Sequence, residues 1–337
     1  MKRIKLSFVA GVEVEFADRE SAIKQVEELA EKGTRFPIVV FGPEGCGKTS
    51  WLKQATEMLR ELGYEVIYID PMRKDFIIHT EVKDLVKKFA EAALEAAGVA
   101  EAKLASLAVT AVRLFMGRRR RKVAVLVDDA FQAIGLDKAA MYVKSLLGLT
   151  EYPPEGCEKV VAIATTSEGM SRGEIGRHRW ADITPMLNLS ERGFEELYEK
   201  MPSPKPDFEE AWRFTGGNPH TLARLLEFDW SFDKAVEVTV KGKKLSSFIA
   251  SLSVDEKVWL LEAVEDPDTL FTRERMPLLS KLVELNLVVD AVPERERYLW
   301  IDEPPPERDS ELGIGRHVAW QTPLHREAVR RALEGRG

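Results

Sequence analysis

The chain has 337 residues, 45% apolar and 31% charged, a balance that excludes both a disordered polymer and a membrane-embedded protein. No apolar run approaches the ~18 residues a spanning helix needs. Two cysteines, Cys46 and Cys157, cannot build a disulfide framework or a zinc site, and a net charge of −7 opposes wholesale clamping of nucleic acid.

Length alone points to about two domains. Glu13 and Glu15 stand where a signal peptide would stay apolar, so a cytoplasmic protein is expected. The sequence has only three Asn (Asn188, Asn218, Asn286) and four Gln (Gln25, Gln54, Gln132, Gln321). Few labile amides among many charges suggest a thermophile.

In chain order, PIVVFG (37–42) reads as a short buried strand entering a Gly-rich turn, and SWLKQATEMLRELG (50–63) as a helix with a Gly stop. YEVIYID (64–70) reads as a second strand, 81–98 and 100–117 as Ala- and Leu-rich helices, and KVAVLVDDA (122–130) as a third strand. A helix near 137–148, a fourth strand KVVAIATTS (159–167) and a fifth, WADITPM (180–186), complete a strand–helix alternation. That alternation predicts an α/β domain with a parallel sheet covered on both faces and ligands at the strands' carboxyl ends. From Ser190 to about Val240 only helical stretches remain, punctuated by MPSPKPD (201–207) and TGGNP (215–219). Helices at 253–264 and 277–286, β-like pieces LNLVVDAV and RYLWID, a Pro-rich acidic loop, HVAWQ and a last helix from Pro323 then suggest a winged helix. The expected division is therefore a core over 1–187, a helical lid over 188–242 and a winged helix over 243–337.

GPEGCGKT, comprising Gly42, Pro43, Glu44, Gly45, Cys46, Gly47, Lys48 and Thr49, fits the phosphate-loop pattern between a predicted strand and a predicted helix. Its glycines let backbone N–H groups face phosphate oxygens, and the helix running on through Ser50 adds its positive end. Lys48 would reach the β and γ phosphates of ATP, and Thr49 would bind Mg²⁺. VAVLVDD supplies the complementary carboxylates: Asp128 to hold the metal through water, and Asp129 as the base that polarises the attacking water. Thr165, Thr166 and Ser167 end the next strand, where hydroxyls either sense the γ-phosphate or merely cap a loop. Arg172, Arg177 and Arg179 follow as candidates for a phosphate-facing arginine, in cis or across a subunit boundary. RRRRK (118–122) either complements the negative end of a helix or offers a patch to an acidic partner. The five histidines show no metal-ligand spacing.

These motifs, in this order, resemble the archaeal ATPases of the AAA+ superfamily, in the STAND branch of signal-transduction ATPases. The resemblance runs through FADRE (16–20), GPEGCGKT, LVDD, ATTSEGMSRGEIGRHRW and TGGNP. It implies a P-loop NTPase core of AAA+ type with an all-helical lid and a C-terminal winged-helix domain. It places Arg19 in the entry segment beside the adenine pocket, Ser167 in the sensor 1 region and Pro219 against the adenine. Three positions depart from the pattern. Asp129 replaces a commoner Glu, which implies slow hydrolysis; His220 stands where many relatives carry a lid arginine; and PLHREAVRRAL (323–333) is similar to the M-H-D segment of related switches, with His325 kept and Arg326 replacing Asp.

Two functions follow as expectations: a nucleotide-driven switch holding ATP or ADP with Mg²⁺ and engaging a protein partner or another copy of itself, or a DNA-binding AAA+ ATPase resembling archaeal replication initiators. Residues 243–337 carry 14 Lys and Arg against 18 Asp and Glu, a net of −4. The predicted recognition helix, PLLSKLVELN (277–286), offers one Lys. A DNA reader needs several phosphate contacts, so the switch is favoured. A small-molecule phosphotransferase fits poorly, since no substrate-binding signature accompanies the loop.

Overall fold

The computed structural model describes residues 2–70, 75–79, 121–129, 131, 136–153, 155–167, 169–290 and 292–335. The expected helices at 81–98 and 100–117, and Arg118 to Arg120 of the basic run, lie outside these. The chain divides into two compact units: Met1–Ile4, Glu20–Phe41 and Lys48–Thr184 form the first, and Lys5–Arg19, Gly42–Gly47 and Pro185–Gly337 the second.

The first unit is built on a sheet ordered β5-β4-β6-β7-β3-β8, with β3 Ile38–Phe41, β4 Tyr64–Asp70, β5 Asp75–His79, β6 Arg121–Val127, β7 Cys157–Thr166 and β8 Asp182–Pro185. The pairs β4–β6, β6–β7 and β7–β3 are parallel. An unforeseen edge strand, β5, runs antiparallel to β4, with Ile67 opposite Ile78. Strand β6 explains its own sequence. Val123, Val125 and Val127 face a core with Tyr142, Val143 and Leu146 of α3 (Leu136–Glu151), while Ala124 and Leu126 are fully buried as well. A strand covered on both faces reads as an unbroken apolar run. Helix α1 (Glu20–Lys32) packs on α2 (Lys48–Glu61), where the buried Trp51 indole N–H donates to the Ala22 carbonyl at 3.4 Å. A short helix, α4 (Gly169–Gly176), follows β7.

In the second unit an unforeseen hairpin, β1 (Lys5–Val9) with β2 (Val12–Glu15), buries Val14 among Leu189, Phe194 and Leu197. Helices α5 (Glu191–Glu199), α6 (Phe208–Thr215), α7 (Pro219–Glu227) and α8 (Phe232–Gly242) follow. Each starts on a side-chain cap, from Ser190, Asp207, Asn218 and Ser231 respectively. Helices α9 (Leu245–Ser251), α10 (Val254–Glu265) and α11 (Met276–Glu284) lead into β9 (Val288–Val289). That strand pairs antiparallel with β10 (Ala319–Trp320), which runs into α12 (Pro323–Leu333). A single core holds Leu225, Val236, Leu278, Val288, Trp320 and Val329.

RYLWID, expected as a strand, is instead a 3-10 turn at Arg297–Leu299 followed by irregular chain. Trp300, Ile301 and Asp302 are buried in succession, which a strand's alternating faces would not allow on a half-covered sheet. The Ile301 N–H bonds the Pro185 carbonyl outside any ladder. The long loop before β10 is pinned by Asp268, which accepts the N–H groups of Arg316, His317 and Val318 at 2.7, 2.8 and 3.1 Å.

Candidate active site

In the first unit, β6 delivers Asp128 and Asp129 at its carboxyl end, and β7 delivers Thr165, Thr166 and Ser167 beside them. Asp128 is 1% exposed; its carboxylate accepts the Thr165 hydroxyl at 2.5 Å and the Tyr68 hydroxyl at 3.0 Å. The Thr165 hydroxyl oxygen in turn accepts the Asp129 N–H at 3.3 Å, and Asp129 Oδ1 accepts the Ser167 N–H at 3.0 Å. Asp129 adopts φ 44°, a left-handed conformation that costs a non-glycine residue about 1–2 kcal/mol. Lys48, 4% exposed, opens α2 with Thr49 and Ser50 half-buried in the same turn.

Burial pushes the Asp129 carboxyl up to about 6; the Asp128 charge adds to this, while Lys48 and the Ser167 N–H oppose it. A carboxyl easier to protonate when folded than unfolded stabilises the fold below about pH 4, and that stability is lost as the pH rises to about 6. At about 1.4 kcal/mol per pKa unit, ionised Asp129 costs the fold about 3 kcal/mol. Asp129→Asn should therefore raise stability by up to about 3 kcal/mol at pH 7–8 and by nothing near pH 4, since Asn tolerates positive φ. Urea unfolding at both pH values measures this, and an equal gain at both would contradict it.

Downstream of β7, the Arg172 guanidinium lies 4.8 Å from the centre of the Phe41 ring, Arg177 pairs with Glu174 at 3.0 Å, and Arg179 is exposed. Arg121 pairs with Glu65, so this member of the basic run is spent on a strand neighbour.

The second unit holds the loop segment Gly42–Gly47 and the residues that fix it. Gly42 has φ 154°, and a Cβ there would fall 1.9 Å from the Met186 carbonyl oxygen; at Gly45, φ 76°, it would fall 2.2 Å from His220 Cβ. Glycine at these two places is a requirement of close approach. The Glu44 N–H donates to Gln321 Oε1 at 2.9 Å, its carbonyl accepts from Asn218 Nδ2 at 3.0 Å, and the Gly45 carbonyl accepts from the His220 N–H at 3.3 Å. Cys46 is fully buried with its thiol against the Met186 carbonyl.

Arg19, 2% exposed at φ 65°, donates to Asp302 Oδ2 and to the carbonyls of Cys46 and Leu187, each at 2.7 Å. Its role here is to tie down the loop. The partner Asp302 was not foreseen, because a carboxylate 283 residues away leaves no local pattern. Asp302→Ala should cost about 3–5 kcal/mol, the penalty for stranding a buried charge, read as a lowered thermal midpoint; a loss under about 1 kcal/mol would mean the pair is solvent-screened.

Pro219 occupies the first turn of α7, capped by Asn218. A cavity of about 300 Å³ beside Glu44 is lined by His220, Arg224, Lys243 and His325 among others. His325 is half-buried there and bonds the Thr322 hydroxyl through Nδ1 at 2.8 Å. Burial, then the charges of Lys243 and His220, hold its pKa far below the usual range. No cluster of potential metal ligands occurs among the described residues.

A family model for an ATPase domain found predominantly in Archaea matches residues 16–225. The chain belongs to that family. The matched span begins at Phe16 and takes in the phosphate loop, the acidic pair and Asn218–Pro219 of this ATPase domain. No curated protein matches the chain. Solved structures similar to it include the Aeropyrum pernix ORC1 protein in complex with DNA, at 15% identity over 95% of this chain and 93% of that one, TM-score 0.37. The Aeropyrum pernix ORC2 protein in ADPNP–ADP complexes is similar at 11% identity over 92% and 94%, TM-score 0.38. AMPPCP-bound DnaA from Aquifex aeolicus follows at 14% identity over 72% and 75%, TM-score 0.39. The ATPase family model and the parallel pairing of β4, β6, β7 and β3 together make the core an α/β P-loop fold. No helix among the described residues is long and apolar enough to cross a membrane.

Proposed function

We propose that this archaeal-type ATPase is a Mg²⁺-dependent, slowly hydrolysing nucleotide switch of the STAND kind. Its core over 1–187, lid over 188–242 and winged helix over 243–337 would change arrangement with bound ATP or ADP. The observation that carries this reading is the cluster of buried Lys48 and Asp128 with half-buried Asp129 and Ser167 at the sheet's carboxyl end. Lys48 and the loop N–H groups would hold phosphates; Thr49 and Asp128 would hold Mg²⁺, which supplies charge neutralisation between the phosphates. Asp129 takes the proton of the attacking water. Its Oδ1 accepts the Ser167 N–H, which orients the carboxylate for that task, and the short side chain supports a slow rate. Arg19 and Pro219 would border the nucleotide from the entry segment and the lid.

One protein named as similar, Aeropyrum pernix ORC1, is in complex with DNA, and a DNA-binding ATPase is the second reading. Lys281, the one cation of α11, is bridged to Glu256 at 2.6 Å, which supports the switch instead. Nucleotide content and turnover of the purified protein separate the two. Tightly retained ADP with turnover well under the ~10 s⁻¹ typical of enzymes is expected, whereas fast turnover driven by DNA and suppressed by salt would establish the second reading.

A further inference from the structure

Amides are scarce in this chain, with three Asn and four Gln in 337 residues, yet one Asn and one Gln converge on a single residue of the phosphate loop and a second Asn joins the two. Gln321 Oε1 accepts the Glu44 N–H at 2.9 Å, and Asn218 Nδ2 donates to the Glu44 carbonyl at 3.0 Å. Asn218 Nδ2 also reaches Asn188 Oδ1 at 2.8 Å, and Asn188 Nδ2 donates to the Gln321 carbonyl at 2.8 Å. Glu44, Gln321, Asn188 and Asn218 thus form one ring of hydrogen bonds, closed through the Gln321 carbonyl.

Gln321 and Asn218 are 2% and 1% exposed, so their bonds are shielded from competing water. Each is also held by its own backbone. The Gln321 N–H bonds the Leu287 carbonyl, between β10 and the cap of α12. Asn218 Oδ1 caps α7 by accepting the Thr221 N–H at 2.9 Å. A buried polar group is expensive unless fully paired, and an apolar core would have been the simpler filling. What the ring adds is direction: it fixes both hydrogen-bonding groups of Glu44 and so sets the orientation in which the following N–H groups emerge.

We infer that Gln321, Asn218 and Asn188 are positioning residues for nucleotide phosphate, which shape the Gly42–Gly47 segment and link its conformation to α7 and to the β9–β10–α12 region. This deepens the switch proposal and rests on it, because it presupposes that the loop binds phosphate. Pre-formed loop geometry lowers the ordering cost of binding. By linkage, phosphate binding must then stabilise the elements that carry the ring.

The test uses the full chain with ADP and a non-hydrolysable ATP analogue, reading affinity, KM against kcat, and hydrogen exchange over residues 285–290 and 317–325. In the wild type, saturating nucleotide should slow exchange there about fivefold or more. Gln321→Leu removes the acceptor; it should weaken nucleotide binding and raise KM by about fivefold or more, leave kcat within about twofold, and abolish the exchange response. Asn218→Asp keeps the helix cap but loses the donor, so it should act alike even where Gln321→Leu does not fold. If either Gln321→Leu or Asn218→Asp, folded, binds nucleotide within twofold of wild type, the positioning role is overturned. It is equally overturned by a wild type that binds nucleotide with no change in exchange. A wild type that binds no nucleotide overturns the switch proposal itself.

Discussion

Lys48→Ala should lose nucleotide binding by a factor of about 10²–10³, the scale of one preorganised charged donor removed from a buried anion site. Lys48 is 4% exposed, and its charge is one of the few influences keeping Asp129 ionised. Removing the ammonium therefore does two things at once. It deletes the cation that would meet phosphate, and it leaves adjacent buried carboxylates without their counter-charge, which pushes Asp129 further upward. Lys48→Arg should not restore binding, because a planar guanidinium differs in shape and hydration from the compact ammonium the first turn of α2 encloses. Titration with a fluorescent ATP analogue in the presence of Mg²⁺ measures both variants. Binding by Lys48→Ala within about threefold of wild type would show that the loop's N–H groups suffice, and would remove Lys48 from the site.

The core was legible because its elements are written in local patterns. β6 shows five consecutive apolar residues followed by Asp128 and Asp129, and the loop from Gly42 to Thr49 has a fixed spacing that backbone chemistry enforces. Three features escaped. The β1–β2 hairpin carries a period-2 pattern, KLSFV and VEVE around Gly11, which was available as a strand signal. The edge strand β5, antiparallel to β4, leaves only five residues of pattern. RYLWID has strand-forming residues, yet its consecutive burial is decided by packing and not by propensity. The fixing of the loop was invisible for another reason: Arg19 with Asp302, and Glu44 with Gln321, join positions more than 270 apart. One clue did exist, since a polar amide between apolar Trp320 and the Thr-Pro start of a helix is out of place unless it has a buried partner.

Asp129→Asn should bind ATP with near wild-type affinity and hydrolyse it about 10²–10⁴ times more slowly, the range contributed by a positioned base. Affinity should hold because Asp129 is not a phosphate donor, and the amide oxygen can still accept the Ser167 N–H that fixes the wild-type side chain. Turnover should fall because an amide cannot take a proton from water. The same substitution removes the ionised carboxylate whose burial costs about 3 kcal/mol near neutrality, so lost hydrolysis and gained stability should appear together. That pairing distinguishes a functional carboxylate from a structural one. A structural acid, valued for its charge-assisted bond from the Ser167 N–H, would lose stability when a weaker amide acceptor replaces it. Single-turnover hydrolysis and a thermal melt at pH 8 suffice. A variant that turns over at the wild-type rate, or one that melts lower, would move the base to another residue and leave Asp129 as part of the frame around Asp128.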